Sequence, residues 1–269
     1  MIGVFDSGFG GLTVLKSFLR KLPRYDYVYL GDNARAPYGN KSQGLIYKYT
    51  VQAVDFLFKE GAELVVIACN TASAEALRKI QQEWLPKNYP ERRVLGVVVP
   101  VVEEAIKSNK GDKIGVIGTR STVASKTYGL EIKKINPGVV ITQKETPLLV
   151  PLIEEGYHRR KEAKMILRTY LKPLKDKKVD KLILGCTHYP ILQKEIVGIM
   201  GKNCVVLDSP GIVAKKLDDY LKGHSEIENK IRKKRQRKYF TTDDIRRFEK
   251  LGQKFLGESI QGARKIELK

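Results

Sequence analysis

Leu64-Val65-Val66-Ile67-Ala68-Cys69-Asn70-Thr71 runs from four aliphatic residues through a small one to a thiol and two polar side chains. An apolar run this short, with no polar residue alternating through it and β-branched side chains prominent, predicts a strand buried on both faces. Leu182-Ile183-Leu184-Gly185-Cys186-Thr187-His188 repeats the pattern, with its cysteine 117 residues after the first. A second pair of segments gives nearly the same shift. Ile2-Gly3-Val4-Phe5-Asp6-Ser7, followed by Leu12-Thr13-Val14, has a shorter echo in Ile114-Gly115-Val116-Ile117-Gly118-Thr119, followed by Ser121-Thr122-Val123, at an offset of 112. Two nearly equal offsets predict two related halves, each bringing a strand-end polar turn and a strand-end cysteine to a shared cleft.

Working outward, further strands are expected at 27–30, 94–99, 139–141 and 205–207. Between them apolar residues recur three and four apart, as in Ile46, Tyr49, Ala53 and Leu57 after the capping candidate Ser42, and in Ile166, Tyr170 and Leu174. That spacing predicts amphipathic helices. Strand and helix in alternation, with strands apolar at nearly every residue, give an α/β class: two pseudo-symmetric halves with largely parallel sheets and the active site in the cleft between them. The boundary is expected near 96–100. Residues 1–97 with 208–269 would form the first domain and 98–207 the second, with 239–256 as a closing amphipathic helix.

The composition agrees with an enzyme-sized globular chain and excludes several classes. There are 269 residues, 42% hydrophobic and 30% charged, which rules out a bare binding peptide and a disordered chain. No apolar run reaches the ~20 residues that span a bilayer, and residues 1–9 lack a basic start before an apolar stretch; a cytoplasmic location and no membrane partner are expected. Cys69, Cys186 and Cys204 are too few and too dispersed for a disulfide scaffold. The formal net charge of +20 raises the question of an anionic partner. Seven of the nine residues 230–238 are basic, Lys230 and Lys238 included. With no aromatic residues interleaved for base stacking, that run reads as a solvated stretch before it reads as a nucleic-acid site.

Chemistry is expected at the strand ends. A cysteine directly after a buried strand and before a helix start lies where backbone amides and the helix dipole lower its pKa. A single such cysteine is more often a small buried hydrophobe. Two in matched settings, each followed by polar residues, point to a pair of acid/base groups. Cys204, ahead of Val205 and Val206, has no such setting and reads as structural. His188, two residues past Cys186, could share a proton with that thiol. No further thiol or imidazole stands at ligand spacing, so no metal is expected. Asp6-Ser7-Gly8-Phe9-Gly10-Gly11 could offer amides to a carboxylate, but it lacks the spacing of a dinucleotide fingerprint. Asp32-Asn33-Ala34-Arg35-Ala36-Pro37-Tyr38-Gly39 is a polar loop, a connector or a binding loop on composition alone.

Taken together, Ile2 to Gly8, the loop Gly31 to Gly39, Ala68-Cys69-Asn70-Thr71-Ala72-Ser73 and Leu184-Gly185-Cys186-Thr187-His188-Tyr189-Pro190 resemble glutamate racemase in order and spacing. The resemblance runs from Ile2 to Phe255-Leu256-Gly257. The wider aspartate/glutamate racemase superfamily shares the two cysteines, whereas the loop at 32–39 looks like the glutamate branch.

The resemblance implies interconversion of L- and D-glutamate without pyridoxal phosphate, nucleotide or metal, supplying D-glutamate for peptidoglycan. By carry-over, Cys69 removes the α-proton of D-glutamate while Cys186 donates to the opposite face, and the roles reverse for L-glutamate. Asp6 would assist Cys69 and His188 would assist Cys186. Asp32, and Glu154 in Pro151-Leu152-Ile153-Glu154-Glu155-Gly156, match acidic positions with supporting roles. Substrate contacts are implied for Asp6, Ser7, Tyr38, Gly39, Asn70, Thr71, Thr187 and His188. A homodimer is implied, and activation by a peptidoglycan precursor is not expected. Some members also bind DNA gyrase, which would give the basic run a nucleic-acid or gyrase partner. The rivals are a racemase of aspartate or another small acid, and a basic DNA- or gyrase-binding protein on this scaffold.

Overall fold

A computed structural model describes residues 1–107 and 113–269. In chain order its strands are β1 (Ile2–Asp6), β2 (Tyr27–Gly31), β3 (Leu64–Ile67), β4 (Arg93–Gly96), β5 (Lys113–Gly118), β6 (Val140–Glu145), β7 (Lys181–Gly185), β8 (Val205–Val206), β9 (Arg237–Thr241) and β10 (Arg264–Lys265). They form a six-stranded sheet, β10-β9-β2-β1-β3-β4, and a four-stranded sheet, β6-β5-β7-β8. Every strand pairing among the described residues is parallel. The core of the first sheet, β2-β1-β3-β4, thus has the same order as the second, with β1 matching β5 and β3 matching β7. These are the pairs that the two sequence offsets single out.

β1, β3 and β7 are buried along their whole length. Parallel neighbours need crossovers, and the crossover helices cover both faces. Under the helix Gln43–Lys59, Phe5, Val28, Leu30 and Ile67 meet Ile46, Ala53, Val54 and Leu57 in one apolar cluster. The opposite face is continuous with the second sheet. Val4, Tyr29 and Val66 belong to the same cluster as Val116, Leu182 and Leu184, with Val101, Val102, Val213 and Leu217 of the helices Val98–Ile106 and Ser209–Gly223. Each fully buried aliphatic side chain contributes roughly 1.5–3 kcal/mol, so this shared core fixes how the two sheets face each other.

The expected elements need three corrections. The apolar run at 94–99 is a strand only to Gly96; Val98–Ile106 is helical, with Pro100 in its first turn, where the missing N–H leaves no bond unmade. Residues 239–256 are not one helix. Arg237–Thr241 is strand β9, paired with β2, and the helix Ile245–Leu256 starts at Asp244, whose Oδ1 accepts the Arg247 N–H at 2.6 Å. The 139–141 run continues as β6 into polar Gln143, Lys144 and Glu145, because an edge strand keeps one side in water.

In each sheet the chain leaves the first strand toward one side and returns on the other. The crevice lies between the carboxyl ends of β1 and β3, and between those of β5 and β7. Ser7 and Cys69 follow the first pair of strands, Thr119 and Cys186 the second.

Candidate functional site

Cys69 caps the helix Asn70–Glu75 with its sulfur, which accepts the Ala72 N–H at 3.5 Å. Ser7 Oγ lies 3.3 Å from the same Sγ. Although these two contacts favour a thiolate, Cys69 is pushed up to about 12, first by burial and then by the charge of Asp6. The expectation of a thiol acidified by the helix start is therefore corrected: loss of solvent outweighs a helix of six residues.

Asp6 explains a second departure. Its Oδ2 accepts the Gly8 N–H at 2.9 Å and its Oδ1 accepts the Thr187 hydroxyl at 3.2 Å. The glycine turn therefore cradles a carboxylate of its own chain. Asp6 is fully buried and stands behind the cavity wall. Burial raises its pKa, opposed by the charge of His188 and the amides of Gly11 and Gly8.

Around Cys186 the setting differs. Its sulfur lies 3.8 Å from His188 Nδ1, and His188 Nε2 lies 2.9 Å from Glu154 Oε1. Burial works against a charge on His188, but its bonds to Cys186 and Glu154 outweigh that and raise it to about 10. The ring is an imidazolium at neutral pH, edge-on to Phe255 at 5.2 Å between centroids. An imidazolium so placed is the partner that a Cys186 thiolate would take.

The halves touch through small residues. A Cβ on Gly10 would collide with Thr187 Oγ1 and the His188 ring, and one on Gly39 would come within 2.6 Å of Thr119 Cβ. Thr13 Oγ1 also donates to the Thr187 carbonyl at 3.0 Å. Across the other side, Thr71, Thr119 and Thr122 form a hydroxyl triangle with sides of 2.9, 2.9 and 3.2 Å.

Asp32 holds the second loop. Its Oδ2 accepts the Tyr38 hydroxyl at 2.5 Å and Arg35 Nε at 2.7 Å, and its Oδ1 accepts Thr242 Oγ1 at 2.9 Å. Like Asp6, it is buried and does not line the cavity.

These elements enclose about 330 Å³. Ser7, Tyr38, Gly39, Cys69, Asn70, Thr71, Glu154, Cys186, Thr187 and His188 all line it. The Tyr128 hydroxyl donates to Asn70 Oδ1 at 2.6 Å, which turns the Asn70 amide donors toward a ligand. Sequence reasoning missed Thr119, Arg120 and Arg247 in the lining. The repeat held a signal for the first, since the 112-residue offset sets Thr119 opposite Ser7. Nothing local marks Arg247, brought in by the last helix. No group of three or more His, Cys, Asp or Glu fit to hold a metal occurs among the described residues.

Residues 2–217 match the family model described as Asp/Glu/Hydantoin racemase. A glutamate racemase of Aquifex aeolicus is 42% identical over 261 residues, covering 97% of this chain and 95% of the relative. Among solved structures, a glutamate racemase isoform of Bacillus anthracis superposes with a TM-score of 0.91 at 32% identity, over 100% of this chain and 97% of that one. The glutamate racemase of Francisella tularensis, solved with D-glutamate, gives 0.89 at 34% identity, over 99% and 97%. With its paired strand-end thiols facing one cavity, the chain belongs to the Asp/Glu/hydantoin racemase family, as an isomerase of the glutamate racemase branch.

Proposed function

We propose that this protein racemises glutamate by two-base proton transfer, with Cys69 and Cys186 serving opposite faces of the α-carbon. The carrying observation is that both thiols line one cavity of about 330 Å³, each reached from the carboxyl end of a corresponding strand. Inversion needs a base on one side and an acid on the other, and a duplicated half-site supplies both.

The resting chemistry differs between the faces. Cys69, held up at about 12, keeps its proton and stands as the acid. Cys186 faces the His188 imidazolium, which offsets negative charge on sulfur. For L-glutamate, Cys186 takes the α-proton and Cys69 delivers its own to the opposite face. The enzyme is then left with the protons exchanged, ready for D-glutamate. An α-proton beside an ionised carboxylate is very weakly acidic, so the cavity must stabilise the carbanion. The side-chain and backbone donors available in the cavity come from Ser7, Asn70, Thr71 and the backbone near Gly39. Asp6 and His188 act on their thiols, Glu154 orients His188, and Asp32 holds Tyr38 and its loop in place.

The D-glutamate bound to the Francisella tularensis relative supports a five-carbon diacid over aspartate. In this reading no cofactor or metal takes part. The protein would work in the cytoplasm as a homodimer and supply D-glutamate for peptidoglycan, with residues 1–97 plus 208–269 as one domain and 98–207 as the other. The test is incubation with L-glutamate, and separately with L-aspartate, in deuterated water. Loss of optical rotation with deuterium entry at the α-carbon of glutamate alone is expected. Exchange on aspartate with none on glutamate would overturn the substrate, and no exchange on either would overturn the chemistry.

A further inference from the structure

The most basic stretch of sequence is not the most available basic surface. In the run 230–238, Lys230 pairs with Glu91 at 3.7 Å, Arg232 with Asp26 at 3.6 Å, Lys233 with Glu228 at 2.8 Å and Lys238 with Glu60 at 2.9 Å. Arg237 donates to the carbonyls of Tyr25 and Pro23 at 2.6 and 2.8 Å. The turn itself is wrapped on buried Asp26, whose Oδ1 accepts the N–H groups of Lys234 and Gln236 at 2.8 and 2.9 Å. Of the seven basic side chains in this run, only those of Lys234 and Arg235 lack a partner among the described residues.

The helix Lys161–Asp176 is the reverse case. Its cations are spaced out in sequence, yet helical periodicity gathers Lys161, Lys164, Arg168, Lys172 and Lys175 on one side, while Ala163, Leu167, Leu171 and Leu174 bury the other. From Lys161 to Lys175 the stripe is about 21 Å long. Lys161, Lys164 and Arg168 have no acidic partner among the described residues, whereas Lys172 pairs with Asp176 at 2.6 Å and Lys175 donates to the Ile199 carbonyl at 2.9 Å. Arg159 and Arg160 precede the helix and Lys177 and Lys178 follow it; Glu162 and Asp176 are the only acids in 159–178. Two apolar side chains stand out on this surface. Met165, between Lys161 and Arg168 on the helix, is 65% exposed, and Tyr157, whose ring lies 4.2 Å from the Arg160 guanidinium, is 44% exposed.

We propose that this helix face docks the protein on an anionic lipid surface, the cations meeting headgroup phosphates while Met165 and Tyr157 enter the headgroup boundary. The apolar face of this helix stays in the protein core, so the attraction is that of cations for anionic headgroups, about 1 kcal/mol each, with Met165 and Tyr157 adding apolar contact at the boundary. A sugar–phosphate backbone would meet the charges and leave Met165 without an apolar environment. The proposal revises the expectation of no membrane partner, which rested on the lack of a spanning segment and so left peripheral attachment unaddressed.

The experiment is sedimentation of the full-length protein with vesicles of equal parts phosphatidylglycerol and phosphatidylcholine, against pure phosphatidylcholine, at low and high salt. Binding to the anionic vesicles alone, lost at high salt, is expected. Each cation removed should weaken binding about fivefold, so Lys161→Gln, Lys164→Gln and Arg168→Gln together should weaken it about a hundredfold. Met165→Ser should weaken it severalfold, and Lys234→Gln with Arg235→Gln less than about twofold. Unchanged racemase activity would show that each variant is folded. No binding to the anionic vesicles, an equal loss in the Lys234/Arg235 variant, or tight binding to duplex DNA with none to vesicles would each overturn the proposal.

Discussion

The half-site after β3 and the half-site after β7 share a parallel strand, a strand-end thiol and a polar turn, and differ in what stands beside the sulfur. The 112-residue offset sets Asp6 opposite Gly118 and Ser7 opposite Thr119; the 117-residue offset sets Thr71 opposite His188. The first half therefore has a buried carboxylate where the second has a bare backbone, and the second has an imidazole where the first has a hydroxyl. Duplication explains why there are two thiols. Divergence at these positions explains why one is held protonated while the other faces a cation.

The largest test of this comparison exchanges the thiols themselves. Cys69→Ser and Cys186→Ser should each abolish racemisation, by about 10⁴-fold or more, since a serine hydroxyl is too weak an acid or base for either face. Residual activity above that in one variant alone would mean that the chemistry runs on a single base. Next comes the contrast between intact thiols. With its pKa at about 12, against an ordinary 9.0, Cys69 should expose about a hundred- to a thousandfold less thiolate than an ordinary cysteine at mildly alkaline pH. Iodoacetamide followed by peptide mapping should therefore label Cys186 well before Cys69. Equal labelling would erase the asymmetry.

His188→Asn removes the cation beside Cys186 and should cost about a hundredfold in turnover. A racemisation has an equilibrium constant of one, so kcat/KM must fall equally in both directions. The asymmetry can appear only in how kcat and KM divide that loss between L- and D-glutamate. An identical division in both directions would tie His188 to folding or binding instead of to one thiol. Glu154→Gln is milder, about tenfold. His188 is held up at about 10 partly by Glu154, and its charge is present below that pKa and lost as pH rises through it. Weakening Glu154 must lower the pKa, so the alkaline limb of the rate profile should move down by about one pH unit. A limb that stays in place would show that Glu154 does not act through His188.

Much of this site is legible in the sequence, for a physical reason: strands buried on both faces leave little freedom in residue choice, and the residue that ends such a strand is marked by the change from apolar to polar. Cys69, Cys186, Ser7 and His188 are all marked in that way. The energetic environment is not legible. The acidification expected at Cys69 from its helix start is reversed by burial and by Asp6, and both depend on residues far apart in the chain. Similarly, Gly8 reads as a donor to a ligand until its N–H is seen to serve Asp6. Charge misleads in the same way, because most of the run at 230–238 is paired off by Asp26, Glu60 and Glu91 from distant segments and by Glu228 just before it.

The smallest expected effect tests whether the halves must also be held in register. Thr119, the counterpart of Ser7, does not turn to a thiol; its hydroxyl contacts Thr71 and Thr122, each at 2.9 Å, and its methyl-bearing carbon lies against Gly39. Thr119→Val keeps the shape and removes the hydroxyl. Thr71 retains Thr122 at 3.2 Å, but Thr119 Oγ1 also accepts the Thr122 N–H at 3.2 Å and caps the helix Arg120–Ala124, so the stability cost should be about 1–2 kcal/mol. If the triangle only positions the Thr71 donor toward substrate, KM should rise a few fold with kcat nearly unchanged, the signature of lost uniform binding. A fall in kcat with KM unchanged would instead mean that the Thr119 hydroxyl itself meets the carbanion. In that case the second half would have kept at Thr119 the role that Ser7 has in the first, and the two half-sites would be more alike than their thiol surroundings suggest.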